Sequence, residues 1–584
     1  MSPYKMRDSL SLVPGEATGD ILWTDTPISF YGGVDPTTGQ IIDLHHPLCG
    51  SSIKGRILAI PGGRGSCAGS GGMLELLHAG HSPAGLVFSQ PELLVTLGVW
   101  VAQEMFGISI PVLVVPSSVF LQLQKIYGQP ATITNSYLQI GYQPLEIPLS
   151  PFSTKQNDGK PFPLSPEDKD ILNGKMGEAA RLAMKVIIRF SEAQGADGLI
   201  DICQAHIDAC VYVGPTSLFF SQRLLDLGGR VAVPSTMNSL NADRRRWKEL
   251  GCDPELSTNA SALGDAYLKM GAKASFTCAP YTLETAPEFG DQIGWAESNA
   301  VVFANSVLGA KTQKYPDYLD VFIALTGRAP NFNAHTKNGR LPTICIDFDE
   351  LTEFDDSLFP LLGYRVGELV GAEIPIVLGL HNTSAGIPEL KAFGAAFATT
   401  SAAPMFHIHG ITPESSEVEH LISSITHIRV SLKDLRMCWE KLNTGVDNSV
   451  AVASLGNPHF AFEEFARLAE LCKGRQRCTQ TQMMITTNRE AYEQSARAGF
   501  VDILVQFGAD FITDTCWCLI GESVIPLEAK NLMTNSAKYA HYGPGTTKRG
   551  IHFGSLRDCV NAAVHGTNER VMPTWLLAEG PIRI

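Results

Sequence analysis

Three stretches of this 584-residue chain carry residue types that could do chemistry. Residues 274–312 read ASFTCAPYTLETAPEFGDQIGWAESNAVVFANSVLGAKT. They set Cys278 in a strand-like segment ending at Pro280, followed by a Pro- and Gly-punctuated loop. Trp295-Ala296-Glu297-Ser298-Asn299 then leads into an apolar, Ala-rich run that predicts a buried helix. A thiolate followed by carboxylate, hydroxyl and amide groups is the donor set of a metal-and-substrate site. A structural cysteine beside a polar helix cap is the alternative. Near the C-terminus, Thr513-Asp514-Thr515-Cys516-Trp517-Cys518 precedes Thr534-Asn535-Ser536-Ala537-Lys538. The Cys-x-Cys spacing lacks the paired CxxC of a zinc site, and Lys538 alone reads as a solvated lysine.

The third stretch, PGGRGSCAGSGGMLELLHAG over residues 61–80, turns from a strand into a helix beginning near Met73. Such a turn aims several backbone N–H groups and the helix dipole at one place, and it holds Arg64, Ser66, Cys67 and Ser70 close together. A phosphate-binding P-loop fails because no Gly-Lys-Ser/Thr follows. The dinucleotide fingerprint is matched loosely by Gly63, Gly65 and Ala68, but no acidic residue closes the next strand. A tight turn needing glycine explains Gly62, Gly63 and Gly65, yet leaves Arg64 and Ser66 unexplained.

The elements that must position these groups divide at a linker. Residues 142–163 hold Pro144, Pro148, Pro151, Pro161 and Pro163 with Asn157-Asp158-Gly159. Domains are therefore expected at 1–152 and 153–584. The first reads as β-rich, with strands expected at 28–31, 56–60, 84–88 and 110–115. The second opens with Ser165 as N-cap and Pro166 in the first turn. A helix is expected near 174–194, a polar turn at 206–210 and a helix near 217–226. Strands are expected at 199–202, 230–234, 343–346, 374–380, 427–430, 449–455 and 482–486, and their alternation with helix-length segments argues for an α/β layered fold. Polar residues past strand ends, such as Asn238 and the Gly456-Asn457-Pro458-His459 turn, sit where open α/β sheets bind ligands.

Composition narrows the partners. Hydrophobic and charged fractions of 44% and 18% are those of a globular protein. A net charge of −14 (45 basic against 59 acidic) argues against nucleic acid or an anionic membrane, but not against a small anionic substrate. Thirteen cysteines without framework spacing suit reduced thiols. The N-terminus lacks an apolar core, and the apolar run 107–121 is cut by Pro111 and Pro116, so a cytoplasmic protein without a membrane span is expected.

TCAPY followed by GWAESNAVVFANSVLGAKT resembles the large-subunit signature of the aconitase X family, and GGRGSCAGSGG resembles the GRGS loop of its small subunit. The resemblance implies an N-terminal swivelling β/β/α domain fused to an aconitase-like α/β/α layered catalytic domain. It implies an iron–sulfur cluster, 2Fe–2S ahead of 3Fe–4S or 4Fe–4S, with Cys278 and Cys516 at ligand positions. Ser66 matches the catalytic base, with Arg64 as its charge partner. Ala209, Asn238, Glu297, Ser298 and Lys538 match substrate contacts. One position departs: the archaeal two-subunit members carry a third ligand cysteine in GCPH, where this chain has Asn457, and an amide cannot replace a thiolate. Cys210 is taken as the replacement third ligand, ahead of Cys67 and Cys518. Fusion and altered cysteine together imply a hydro-lyase acting on cis-3-hydroxy-L-proline, as a monomer. Mevalonate 5-phosphate dehydration, an aconitase-like isomerase and a non-enzymatic metal sensor are the alternatives.

Overall fold

The computed structural model describes residues 8–64, 68–142, 145–151, 161–351, 353–520 and 524–577. Ser66, Cys67 and the Asn157-Asp158-Gly159 segment lie outside them. The chain forms two compact units. The first comprises Met1–Pro234, Lys269–Gly271 and Tyr315–Phe332; the second comprises Ser235–Leu268, Ala272–Lys314 and Asn333–Ile584.

In the first unit eight strands close a barrel, in the order Ser9–Val13, Leu145–Pro151, Tyr137–Ile140, Pro130–Ile133, Ala17–Trp23, Ile57–Ile60, Gly85–Phe88 and Val112–Val114. The last three are parallel and wholly apolar. That pattern follows from burial on both faces, inward against Ile21 and Leu138 and outward under helices. Helices Gly69–His78 and Leu94–Phe106 cross so closely that a Cβ on Gly98 would lie 2.5 Å from the Ser70 carbonyl oxygen, which requires glycine there. The first helix starts at Gly69 rather than near Met73, running through its own glycines. Ile28 makes a single bridge, to Gly63, and the expected strand at 28–31 instead turns at Tyr31.

The remainder of this unit is mostly helical. Ser165 caps Pro166–Leu172 through a capping box with Asp168, and Asp168 also pairs with buried Arg328 at 2.7 Å. Helix Glu178–Gln194 presents an apolar face that includes Met184, Val186 and Ile187. Two expectations fail locally. The turn expected at 206–210 begins later, because His206 and Ile207 end the strand Gln204–Ile207 and the chain turns at Ala209 and Cys210. Residues 230–234 form no strand: Val231 and Ala232 donate to Met270 and Ala324 on separate segments.

The second unit holds two all-parallel sheets. One has four strands, His407–Ile408, Pro375–Leu378, Ile344–Phe348 and Thr426–Val430. The other has five, ordered Ala509–Ile512, Gln482–Thr487, Val452–Phe460, Asn531–Thr534 and Gly550–Phe553. Helices between successive strands, such as Leu358–Val370, Ile387–Thr400 and Phe462–Cys472, carry the apolar residues that cover them. This is the α/β layered architecture that the alternating pattern predicts. Among the described residues, no helix is long and apolar enough to cross a membrane.

Candidate active site

Parallel strands point their carboxyl ends the same way, and the five-stranded sheet gathers its chemistry there. Val452–Phe460 ends in Asn457 and His459, Ala509–Ile512 runs into Cys516 and Cys518, and Asn531–Thr534 runs into Lys538. Each passage is held locally. Gly456 adopts φ +94°, and a Cβ there would lie 2.0 Å from the Thr486 carbonyl oxygen, so only glycine lets the strand bend before Asn457. Asn457 and Pro458 are joined by a cis peptide bond. Lys391 donates to the carbonyl of His459 at 2.8 Å and pairs with Glu464. Asp514, at φ +67°, is fixed by a two-pronged pair with Arg489 at 2.7 Å on each oxygen. Buried Trp517 donates its indole N–H to the Leu455 carbonyl at 2.9 Å, which anchors the residue between the two cysteines. Ser536 caps the helix Ala537–Thr547 that carries Lys538, and its hydroxyl donates to the carbonyl of Asn457.

Cys278 does not lie in a strand. Its neighbour Phe276 has φ +41°, and Thr277 makes one backbone bond, to Met237 at 3.0 Å. Glu297 and Ser298 follow the strand Ile293–Trp295 and start the buried helix Ser298–Phe303. Tyr281 stacks on Phe303, with ring centroids 4.0 Å apart, and donates to Asn299 at 2.9 Å. Asn299 in turn donates to the carbonyl of Cys278 at 3.0 Å and to Glu297.

Cys516 neighbours both Cys278 and Cys518, and contact with those two thiols, reinforced by burial, pushes its own thiol well up. The same contacts lead in pulling Cys278 down and Cys518 down to about 6; burial opposes, and Lys538 helps in both cases. The His459 backbone N–H donates to the Cys278 sulfur at 3.4 Å, and Asn457 Nδ2 donates to the Cys518 sulfur at 3.1 Å. Lys538 Nζ lies 2.9 Å from Glu297 Oε1. Burial works against the lysine's charge, but Glu297 and then the three sulfurs outweigh it and hold the ammonium well above its ordinary range.

His459 ties this cluster together. Its Nε2–H donates to the Thr515 carbonyl at 2.7 Å, so its Nδ1 accepts from the Thr277 hydroxyl at 3.1 Å. The ring is therefore neutral, and burial pushes its pKa down to about 4. Three buried atoms beside the cluster, Asn457 Oδ1, Thr515 Oγ1 and Tyr539 Oη, have no hydrogen-bond partner among the described residues. Unpaired buried polar atoms are unfavourable, so these three are open to a water or a polar ligand. A groove of about 970 Å³ lies beside the same segment, lined by Asn241, Asp243, Cys252, Thr515 and Leu519 among others.

The other sequence-derived candidates fall as follows. Asn238 is buried, its side-chain oxygen accepting from the Ser239 backbone at 2.7 Å. Ser298 is half-buried at the first helical position. Arg64 is exposed and ion-paired with Asp43. Ala209 and Cys210, in the first unit, sit against Asp320, whose carboxylate accepts from the Asp208 and Ala209 backbones at 2.5 and 3.1 Å. The Cys210 thiol donates to the Ile207 carbonyl at 3.3 Å, and burial followed by Asp208, Asp320 and Asp317 raises it well above the ordinary thiol range. The sequence places the Asn299 amide among the donor groups after Cys278 and His459 in a strand-end turn, but not the bonds by which they hold Cys278 and the two threonines. A separate group, Cys345, Asp347 and His427 on neighbouring strands, brings its ligand atoms within 4.8 Å of one another. There the ring Nδ1 of His427 contacts Asp347 at 2.9 Å, an exposed ion pair.

Four aconitase X descriptions match the chain: the swivel domain over residues 7–135, the first domain over 161–338, the second over 342–440 and the third over 450–565. A cis-3-hydroxy-L-proline dehydratase of Hypocrea jecorina is 48% identical, with 97% of this chain and 96% of that protein covered. One of Pseudomonas aeruginosa is 44% identical, with 97% and 98% covered. The phosphomevalonate dehydratase large subunit of Methanocaldococcus jannaschii is 30% identical over 68% of this chain and 98% of its own. The holo-form of Thermococcus kodakaraensis aconitase X superposes with a TM-score of 0.62 at 26% identity, over 69% of this chain and all of that one. With relatives this similar over nearly its whole length, the chain belongs to the aconitase X family and is a dehydratase.

Proposed function

We propose that this protein removes water from cis-3-hydroxy-L-proline, releasing an enamine that tautomerises to Δ1-pyrroline-2-carboxylate. The observation that carries the reading is the match, end to end, to two proteins named for that reaction. The phosphomevalonate relative is a large subunit alone and leaves 32% of this chain unmatched (100% less the 68% covered).

The thiol cluster suits an iron–sulfur group: three convergent cysteines, sulfurs already accepting N–H bonds, and one ammonium balancing their charge. We assign Cys278, Cys516 and Cys518 as its holders, with a 2Fe–2S cluster as the expected type. Cys210, the sequence's choice for the third ligand, is ringed by carboxylates and engaged with a backbone carbonyl, which disfavours a thiolate there. Such a cluster, when bound, supplies a Lewis-acidic iron toward a hydroxyl.

The chain's own residues do the rest. In the substrate the hydroxyl shares a ring face with the carboxylate, so the α-hydrogen lies on the opposite face and the loss is an anti elimination. A base must therefore approach the face opposite the hydroxyl. Ser66 Oγ is the proposed base, with Arg64 and the N–H groups of the glycine turn stabilising its alkoxide. Arg64 would have to exchange its pair with Asp43 for that role. Lys538 Nζ, poised on Glu297, binds the carboxylate, and Asn238, Ser298, Glu297 and the Ala209 backbone complete the contacts to the carboxylate and ring nitrogen. Residues 1–152 then act as the swivel domain bearing the base, and 153–584 as the catalytic domain, in a monomeric cytoplasmic enzyme.

Anaerobically purified protein should be assayed against hydroxyproline isomers and phosphomevalonate side by side. Turnover of cis-3-hydroxy-L-proline is expected, and turnover of phosphomevalonate instead would overturn the assignment. Ser66→Ala should keep the visible spectrum and substrate binding yet stop exchange of the α-hydrogen with deuterated solvent. Exchange at the normal rate would place the base elsewhere.

A further inference from the structure

Asn457 stands where the family's archaeal motif has a cysteine, and its amide is used on one side only. Nδ2 donates to the Cys518 sulfur at 3.1 Å, and a sulfur in that position offers an acceptor, which fixes the orientation of the amide. Oδ1 consequently points away from the cluster. It is shut off from solvent in a residue only 6% exposed, and it finds no donor among the described residues. The turn cannot easily rotate to give it one. The Asn457 carbonyl accepts from Ser536, Lys391 grips the carbonyls of Pro458 and His459, and Gly456 is pressed against Thr486. A held, buried, unpaired acceptor beside a reactive centre calls for a ligand that brings an N–H or O–H.

We propose that Asn457 Oδ1 accepts a hydrogen bond from the ring ammonium of the substrate and so selects cyclic secondary amines over otherwise similar hydroxy acids. This rests on the reading of the substrate as a hydroxyproline. Of that molecule's polar groups, the carboxylate has only acceptors and would be repelled by Oδ1; it is matched by Lys538. The hydroxyl is the group that leaves. The secondary ammonium carries two N–H donors and no acceptor, so it can meet Oδ1 with one of them and a further substrate contact with the other. One residue thereby orients a sulfur with its nitrogen and reads the substrate with its oxygen. A hydroxy acid with no nitrogen would leave that oxygen unpaired, which is how a polar site rejects a close analogue.

The test compares L-proline with (S)-tetrahydrofuran-2-carboxylate, which has a ring oxygen where proline has its ammonium. Calorimetric titration of the holoenzyme should show wild type preferring L-proline by about tenfold or more, the scale of one hydrogen bond to a charged group. Asn457→Ala should bring the two ligands to within about twofold. Asn457→Asp, which keeps an acceptor oxygen but loses the donor to Cys518, should retain the preference while altering the visible spectrum. The proposal is overturned if wild type shows no preference, a result independent of whether any variant folds. It is equally overturned if Asn457→Ala keeps the full preference, as it would if Oδ1 held only a water. Turnover of cis-3-hydroxy-L-proline by the same preparation separately decides whether the substrate reading stands.

Discussion

Replacing His459 by alanine should loosen the thiol cluster without touching a sulfur. Its ring makes the 2.7 Å bond to the Thr515 carbonyl and the 3.1 Å bond from the Thr277 hydroxyl. Those two threonines immediately precede Cys516 and Cys278. Truncation leaves a buried carbonyl and a buried hydroxyl unpaired, each costing about 1–3 kcal/mol, and the emptied ring volume adds to that. The expected loss is about 3–5 kcal/mol, large for a single substitution. His459→Gln, able to keep one of the two bonds, should lose roughly half as much. Urea unfolding followed by tryptophan fluorescence, with the slope unchanged between variants, measures this directly. Iron retained after gel filtration should fall in the same order, because both flanking threonines lose their common tether. A loss below about 1 kcal/mol for the alanine variant, with iron content unchanged, would refute the tethering role.

Further outcomes follow from charges elsewhere in the second unit. Burial, then Arg340 and Lys311, push His335 from 6.5 down to about 3, so the folded protein refuses a proton that the unfolded chain accepts below 6.5. Stability is therefore full above that value and falls as pH drops from 6.5 toward 3, by up to about 1.4 kcal/mol per unit from this group. His335→Gln should flatten the slope of urea stability between pH 6 and 4 by about one proton, and an unchanged slope would exclude His335 as the source. Lys538→Met strands the Glu297 carboxylate beside the thiols and should cost about 3 kcal/mol and nearly all activity. Adding Glu297→Gln should return most of the stability and none of the activity; recovery of activity would remove Lys538 from substrate binding.

Much of the fold was legible because parallel α/β layers announce themselves. Short β-branched or apolar runs at 343–346, 374–380, 427–430 and 482–486 read as strands between helix-length segments, and strands stand there, that at Thr426–Val430 largely exposed at the sheet edge. Misreadings fell where local sequence and pairing part company. Residues 230–234 have strand composition, yet a strand needs a partner, and their two donors go to different segments. Cys278 has β-branched and aromatic neighbours, but Phe276 takes a left-handed conformation that no propensity foretells. Lys538 and Glu297 were named by motif resemblance, whereas their pairing at 2.9 Å is a fact of folding between residues 241 positions apart.

The third thiol shows most clearly why a site is harder to read than a fold. Cys516-Trp517-Cys518 is a poor metal motif on spacing alone, because zinc sites use the wider CxxC step and use it in pairs. What converts it is Trp517. Its indole is fully buried and bonded to the Leu455 carbonyl, so the intervening side chain is committed to the core. The two cysteines flanking it, with Cys278 as neighbour to Cys516, are close enough to shift one another's thiols. The strand that supplies Leu455 continues two residues later into Asn457, which meets Cys518 from the opposite direction. The asparagine at that strand end is thus the donor to a sulfur on another, the thiol proposed as the third ligand. No window of sequence contains both halves of that pair. It becomes visible only when the sheet brings the carboxyl ends of its strands together.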